Sequence, residues 1–265
     1  MVENPLGVTP VHERISGKHL ALPFGNIYLA LHCANDGTSH MQRHFLQELE
    51  LLKTNLIKMC SYAEQSIAES IRSLLEGRKD VAEQVVKEDQ RINSFEVEID
   101  HQVVDLLALQ QPVASDLRFI LAASKIGNDL ERIGDHAVNI AESTLKYGEI
   151  SQLRSLTDIT QMAQITKKML RDAIDGFIHS NPTLCRAVLR SDDIIDDLNR
   201  KIVQDLVDGI RSNPTNIEPA LELVRVSRNL ERVADLATNI AEEVIFVTEA
   251  HVVKHRMDPS AEREE

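Results

Sequence analysis

Residues 128–142 read NDLERIGDHAVNIAE and residues 228–242 read RNLERVADLATNIAE, identical at nine of fifteen positions. Their oxygen-bearing side chains recur in register: Glu131, Asp135, Asn139 and Glu142 in one, Glu231, Asp235, Asn239 and Glu242 in the other. At about 100° per helical residue, each set of four falls within roughly one quadrant. An apolar stripe of Leu130, Ile133, Ala137, Ile140 and Ala141 lies beside the first set. A copied unit thus presents a copied row of oxygen ligands. Each ExxxD stacks two carboxylates at i, i+4, whose repulsion on an exposed helix costs about a few tenths of a kcal/mol. A divalent or trivalent cation taking oxygen ligands offsets that cost. Arginines also offset it: Arg118, Arg225 and Arg228 could reach from other turns or helices, whereas Arg132 and Arg232 point about 100° away. A solvated or salt-bridged face is the ordinary reading of one ExxxD. The duplication, with the added Asn and Glu, favours binding of a metal or polar ligand.

A second row precedes each motif. It comprises Asp89, Asn93, Glu96 and Asp100 in the first half, and Asp192, Asp196 and Asn199, with Asp193 beside them, in the second. On neighbouring antiparallel helices these rows could face the ExxxD rows, giving metal sites built from two helices of a bundle. An ordinary acidic outer face is the competing reading. Oxygen-only ligands favour Mg, Mn, Ca or ferric iron over zinc. No His stands at Glu-x-x-His spacing in either motif, so neither carries the di-iron pattern of ferritin-like bundles. His136 follows Asp135 directly and points elsewhere, and its counterpart is Leu236. No phosphate-binding glycine loop, HExxH or nucleophile elbow occurs, and no nucleophile is paired with a base. The reading is of a protein that is not an enzyme.

Long helices must position these rows. Phe45, Leu49, Leu52, Leu56, Met59, Ala63, Ile67, Ile71 and Leu74 recur every three or four residues, which predicts a helix from Met41 to Gly77 with one buried face. Asp80 is a plausible N-cap for a second helix carrying Val85, Ile92, Ile99, Val103 and Leu106 inward, broken at Gln111–Pro112. A third is expected from Ser115 to Tyr147, capped by Gly148. The second half repeats the plan: Ser151 to His179, stopping before Asn181–Pro182; Ser191 to Ile210, stopping before Asn213–Pro214; and Ile217 to Ala250. The expected fold is all-α: two tandem antiparallel three-helix bundles related by internal duplication, over residues 41–148 and 149–250. Residues 1–40, with four glycines, three prolines and no helical period, read as a loose N-terminal extension, and 251–265 as a polar tail.

Composition agrees. Of 265 residues, 43% are hydrophobic and 27% charged, aromatics are 3% with no Trp, and Gly and Pro number only 10 and 8. This suits long helices and a sizeable core. A net charge of −13 and few stacking aromatics argue against a nucleic-acid partner. Cys33, Cys60 and Cys185 are odd in number and form no CxxC, which fits a reducing compartment, the cytoplasm. No stretch approaches the roughly 20 apolar residues of a membrane span. The mildly apolar Leu20–Cys33 is interrupted by Pro23, Gly25 and Asn26, and no signal-peptide cleavage site is expected after it.

Gln110–Arg118 (QQPVASDLR), Asn128–Asp135 (NDLERIGD) and Asn229–Asp235 (NLERVAD) closely resemble the PhoU family, over about residues 41–250. The resemblance implies a tandem pair of three-helix bundles, usually a homodimer or another oligomer, in the cytoplasm. It implies a negative regulator of phosphate uptake, acting between the phosphate-specific ABC transporter, through its ATPase, and the sensor histidine kinase of the phosphate regulon. Contact with the membrane would be indirect, through those partners. It also implies iron or zinc clusters at Glu131/Asp135 and Glu231/Asp235, with Asp89, Asn93, Asp192 and Asp196 as neighbours; Mg or Mn remain candidates on the oxygen-only ligands. Arg228 in place of Asn128 departs from the first motif and would weaken the second site or supply a counter-ion. Two other classes compete: a metal-storage or metal-dependent helical-bundle enzyme, and a purely structural helical oligomer suggested by the heptad-like first helix.

Overall fold

Helix α1 runs Asp36–Glu76 and ends at Gly77, whose φ of 64° lets the Arg78 N–H reach back to the Ser73 carbonyl at 2.9 Å. It is followed by α2 (Lys79–Gln110), α3 (Ala114–Tyr147), α4 (Leu156–His179), α5 (Pro182–Ser212), a single 3₁₀ turn (Pro214–Asn216) and α6 (Ile217–Glu249). The computed structural model describes residues 36–110, 112, 114–147 and 156–250. The expected extension, apart from its last five residues, and the expected tail lie outside the described residues, as do Gly148 and the start proposed at Ser151. No strand occurs among the described residues, and none of their helices is long and apolar enough to cross a membrane.

Each helix of α1–α3 packs on the other two, and so does each of α4–α6. The result is two antiparallel three-helix bundles in tandem. Their cores follow the sequence spacing. Leu52, Leu56, Met59, Ile67, Ile92, Ile99, Ile120, Ile126, Leu130, Ile133 and Ile140 are at most 1% exposed in the first bundle. Ile159, Leu170, Ile195, Ile202, Leu223, Leu230 and Ile240 do the same in the second. Each such side chain contributes about 1.5–3 kcal/mol over its exposed state.

Three boundaries differ from expectation. Helix α1 begins at Asp36, five residues before Met41. Asp80 is not an N-cap: α2 already starts at Lys79, and the Asp80 carboxylate sits in its first turn, accepting from Arg78 Nε at 3.2 Å. There it faces the positive end of the helix dipole. Helix α5 begins at Pro182, nine residues before Ser191, because Asn181–Pro182 both stops α4 and starts α5. The Asn181 side chain accepts the Leu184 N–H at 3.2 Å and Pro182 occupies the first turn, where its missing N–H is not needed.

The bundles meet mainly along α3 and α6, with a smaller contact between α1 and α4. Contacts at the seam run in opposite order along the two helices, so they are antiparallel. Lys125 donates to Glu243 (2.9 Å), His136 Nδ1 meets Asn229 Oδ1 (2.8 Å), Arg225 donates to Asn139 (2.8 Å), and Ser143 and Lys146 donate to Glu222 (3.0 and 2.8 Å). Glu222 and Glu243 are buried there. Burial alone would raise the Glu222 carboxyl, but the hydrogen bonds from Lys146 and Ser143 and the charges of Lys146 and Arg225 outweigh it and hold it below its ordinary value.

Two outcomes are expected. A Cβ on Gly176 would lie 2.4 Å from the buried Cys185 Sγ. Gly176→Ala should therefore destabilise by about 1–3 kcal/mol in urea unfolding, and adding Cys185→Ala should recover part of the loss. A depressed carboxyl contributes stability that is complete above its unfolded value, 4.5 for Glu222, and lost as pH falls through its folded value. Glu222→Gln should cost about 1 kcal/mol at neutral pH, a deficit that shrinks in melts recorded below the unfolded value.

Candidate functional site

The first acidic face lies where α2 crosses α3. Gly134 makes the approach possible, because a Cβ at this position would stand 2.9 Å from Asp89 Oδ1 and 3.0 Å from Ile92 Cδ1. Without one, the Asp89 carboxylate lies directly on the α3 backbone. Asn93, one turn on, donates Nδ2 to Asp89 Oδ2 at 3.0 Å. Asp89 Oδ1 and Asn93 Oδ1 remain, both buried and without a hydrogen-bond partner. Such orphaned oxygens are costly unless something donates to them or binds them.

Glu131 and Asp135 complete the face from α3. Burial raises the Glu131 carboxyl above its ordinary value, and the charges of Asp135, Glu96 and Asp89 add to the rise against a weaker opposing pull from Arg132. Burial also raises Asp89, opposed by the Asn93 hydrogen bond and helped by Asp135. Among the described residues no ion pair joins Asp89, Glu131 or Asp135 to a basic side chain. Asp89, Glu96, Glu131 and Asp135 therefore crowd a partly dehydrated patch, with Arg132 the nearby opposing charge on Glu131.

The second face is related but not equal. Asp192 and Asp196 flank buried Ile195 as Asp89 and Asn93 flank buried Ile92, three residues before and one after. Ala234 replaces Gly134. Asp235 accepts from Arg232 Nη1 at 2.8 Å. Burial raises its carboxyl; Arg232 opposes by charge and hydrogen bond, Asp196 adds, and His136 opposes from the other repeat. Glu231 is half-buried beside it on α6. Arg232 thus does not point away as its place in the sequence suggests: its long side chain spans one helical turn to Asp235.

The remaining amides and carboxylates are brought elsewhere. Arg225 donates to both Asn139 Oδ1 and Glu142 Oε2 at 2.8 Å across the seam. Asn239 and Glu242 line a shallow polar recess with Asp100, Ser124, Lys125 and Asn128. A common quadrant does not give a common neighbourhood, because a row from 131 to 142 is about 16 Å long and its partner changes from α2 to α6 along it. Asp100 likewise leaves its row and accepts from Ser124 Oγ at 3.2 Å, while Asn199 accepts from Ser227 Oγ at 2.9 Å.

Among the described residues no three carboxylate, imidazole or thiolate side chains already converge on one point. The first face nevertheless fits a hard cation in chemistry: two orphaned oxygens, two further carboxylates and mutual repulsion that a positive charge would relieve. Reading the sequence alone passed over Gly134, gave Asp129 no role, and set Arg232 and His136 aside as pointing elsewhere. Comparing the repeats position by position exposes them, since Gly134, His136 and Asp129 become Ala234, Leu236 and Asn229.

The family model of the PhoU domain matches the chain twice, over residues 56–144 and 159–244. The phosphate-specific transport system accessory protein PhoU homolog of Aquifex aeolicus is 37% identical over 210 residues, 79% of this chain and 95% of that one. The crystal structure of PhoU from Pseudomonas aeruginosa matches with a TM-score of 0.76 at 32% identity, over 78% of this chain and 100% of that chain. The phosphate transport system regulatory protein PhoU from Streptococcus pneumoniae matches with a TM-score of 0.73 at 25% identity, over 79% and 99%. Duplicated bundle, duplicated motif and both matched segments agree: the chain belongs to the PhoU family.

Proposed function

We propose that this protein is a regulatory accessory protein of a phosphate-specific transport system. It acts in the cytoplasm as a homodimer. It restrains phosphate uptake by joining the transporter's ATPase to the sensor histidine kinase of the phosphate regulon, and reaches the membrane only through them. The relatives named as phosphate-specific transport accessory proteins carry this reading, since one of them is matched over 95% of its length. A cation at the first acidic face, and a weaker one at the second, is part of the proposal. Bound there, a cation would neutralise the clustered carboxylates and tie α2 to α3. Asp89, Asn93, Glu131 and Asp135 would hold it, with Asp192, Asp196, Glu231 and Asp235 as the second set. The observation supporting this is the buried, unpartnered Asp89 Oδ1 against Gly134. All-oxygen ligands suit manganese, magnesium or ferric iron, and zinc would need more rearrangement.

Affinity purification from phosphate-replete and phosphate-starved cells tests the adaptor. Capture of the ATPase or the kinase, varying with phosphate, is expected; capture of neither removes the reading. The cation makes a separate prediction. In metal-free protein, carboxyls raised in the fold gain protons before the unfolded chain does, so their own contribution to stability should increase as pH falls from above their folded values to below 3.8–4.5. Asp89→Asn with Asp135→Asn should flatten that rise and raise metal-free stability at neutral pH. The same variant should lose most of the stabilisation that a tightly bound cation gives wild type, about 2.7 kcal/mol at a hundredfold excess over Kd. Thermal melts with and without Mn²⁺ check both.

A further inference from the structure

An arginine on a helix can turn one way or the other along its own face, to position i−3 or to i+3. Arg132 and Arg232 occupy equivalent places and turn opposite ways. Arg132 leans back to Asp129, with Nη1 3.5 Å from Oδ1, and Arg232 leans forward to Asp235 at 2.8 Å. The residue at i−3 accounts for the difference. Asp129 is a buried carboxyl that pairs with Arg132 on the side away from Asp135. Asn229 is equally buried but neutral. Both ends of its amide are also engaged, with Oδ1 on His136 Nδ1 and Nδ2 donating to the Arg225 carbonyl, each at 2.8 Å. Arg232 has nothing to hold it at i−3 and settles on the acidic face.

We infer that the two acidic faces are unequal cation sites, because Arg232 is a resident counter-cation of the second face, and that the choice between Asp129 and Asn229 sets which face is open. This rests on the proposal that the faces bind a cation. A cation entering the second face must displace the Arg232 guanidinium from Asp235, whereas one entering the first displaces no basic side chain. The Arg232–Asp235 pair is half exposed, so its displacement should cost about two- to fivefold in affinity. Arg232 and Asn229 are then positioning residues: one occupies Asp235, and the other lets it.

The test uses the full chain, stripped with a chelator and titrated with Mn²⁺, free Mn²⁺ being read by electron paramagnetic resonance, and Zn²⁺ is then added as a competitor and read by the Mn²⁺ it releases. Wild type should show two classes of site. Asp89→Asn with Asp135→Asn should remove the tighter class, and Asp192→Asn with Asp196→Asn the weaker. Arg232→Gln, a surface change, should tighten the weaker class about two- to fivefold and leave the other unchanged. Asn229→Asp should do the same by drawing Arg232 back. Asp129→Asn should loosen the tighter class by releasing Arg132 toward Asp135. Two classes of equal affinity, or a weaker class indifferent to Arg232→Gln and Asn229→Asp, would overturn the inference while leaving cation binding intact. No binding of either ion, or binding that survives both pairs of acidic substitutions, would instead overturn the cation reading beneath it.

Discussion

The antiparallel seam between α3 and α6 is the constraint from which the rest of the molecule follows. Each motif helix has only so much circumference. One side is spent on its own bundle, where Leu130, Ile133 and Ile140 are fully buried. Another is spent on the opposite motif helix, through Lys125–Glu243 at one end and Ser143, Lys146 and Glu222 at the other. The strip left over is narrow, and its first two carboxylates fall against the preceding helix. The acidic faces are therefore fixed by packing on two other sides and not by any attraction of their own.

This arrangement separates two kinds of carboxylate. Glu222 and Glu243 are buried with basic partners and knit the repeats together. Among the described residues, Asp89 and Glu131 have no basic partner in an ion pair, so burial disfavours their charge and the neighbouring acids add to that effect. A chain of net charge −13 gains nothing in stability by crowding four of its carboxylates onto one helix crossing. The apolar core tolerates that cost.

Most of the architecture was legible in the sequence because a helix declares itself by period. The nine apolar positions of the first helix that predicted its face are the ones that turn inward, with Phe45 and Leu49 packed at the edge of the core. What period does not announce is where a helix starts. Pro182 was read only as a stop, although the same Asn–Pro pair is a good N-cap and first residue, and nine residues of α5 were lost by that reading. The site was half legible. Glu131, Asp135 and Asp89 come together as their spacing suggested, while Asn139 and Glu142 go to Arg225. Spacing gives direction around one helix but not which neighbour stands there. Arg232 escaped for a different reason: a long flexible side chain is not bound by the direction of its Cβ.

The substitution of Asn229 for Asp129 has a meaning that reaches beyond the site. An assembly of two identical three-helix chains would obey a strict rule, since any change at one face would be written at the other in the same stroke. Joining the halves in a single polypeptide repeals that rule. Each repeat keeps the scaffold of the other while its ionic character drifts independently. Fusion, on this view, did more than secure the pairing of two bundles: it gave one molecule a left hand and a right.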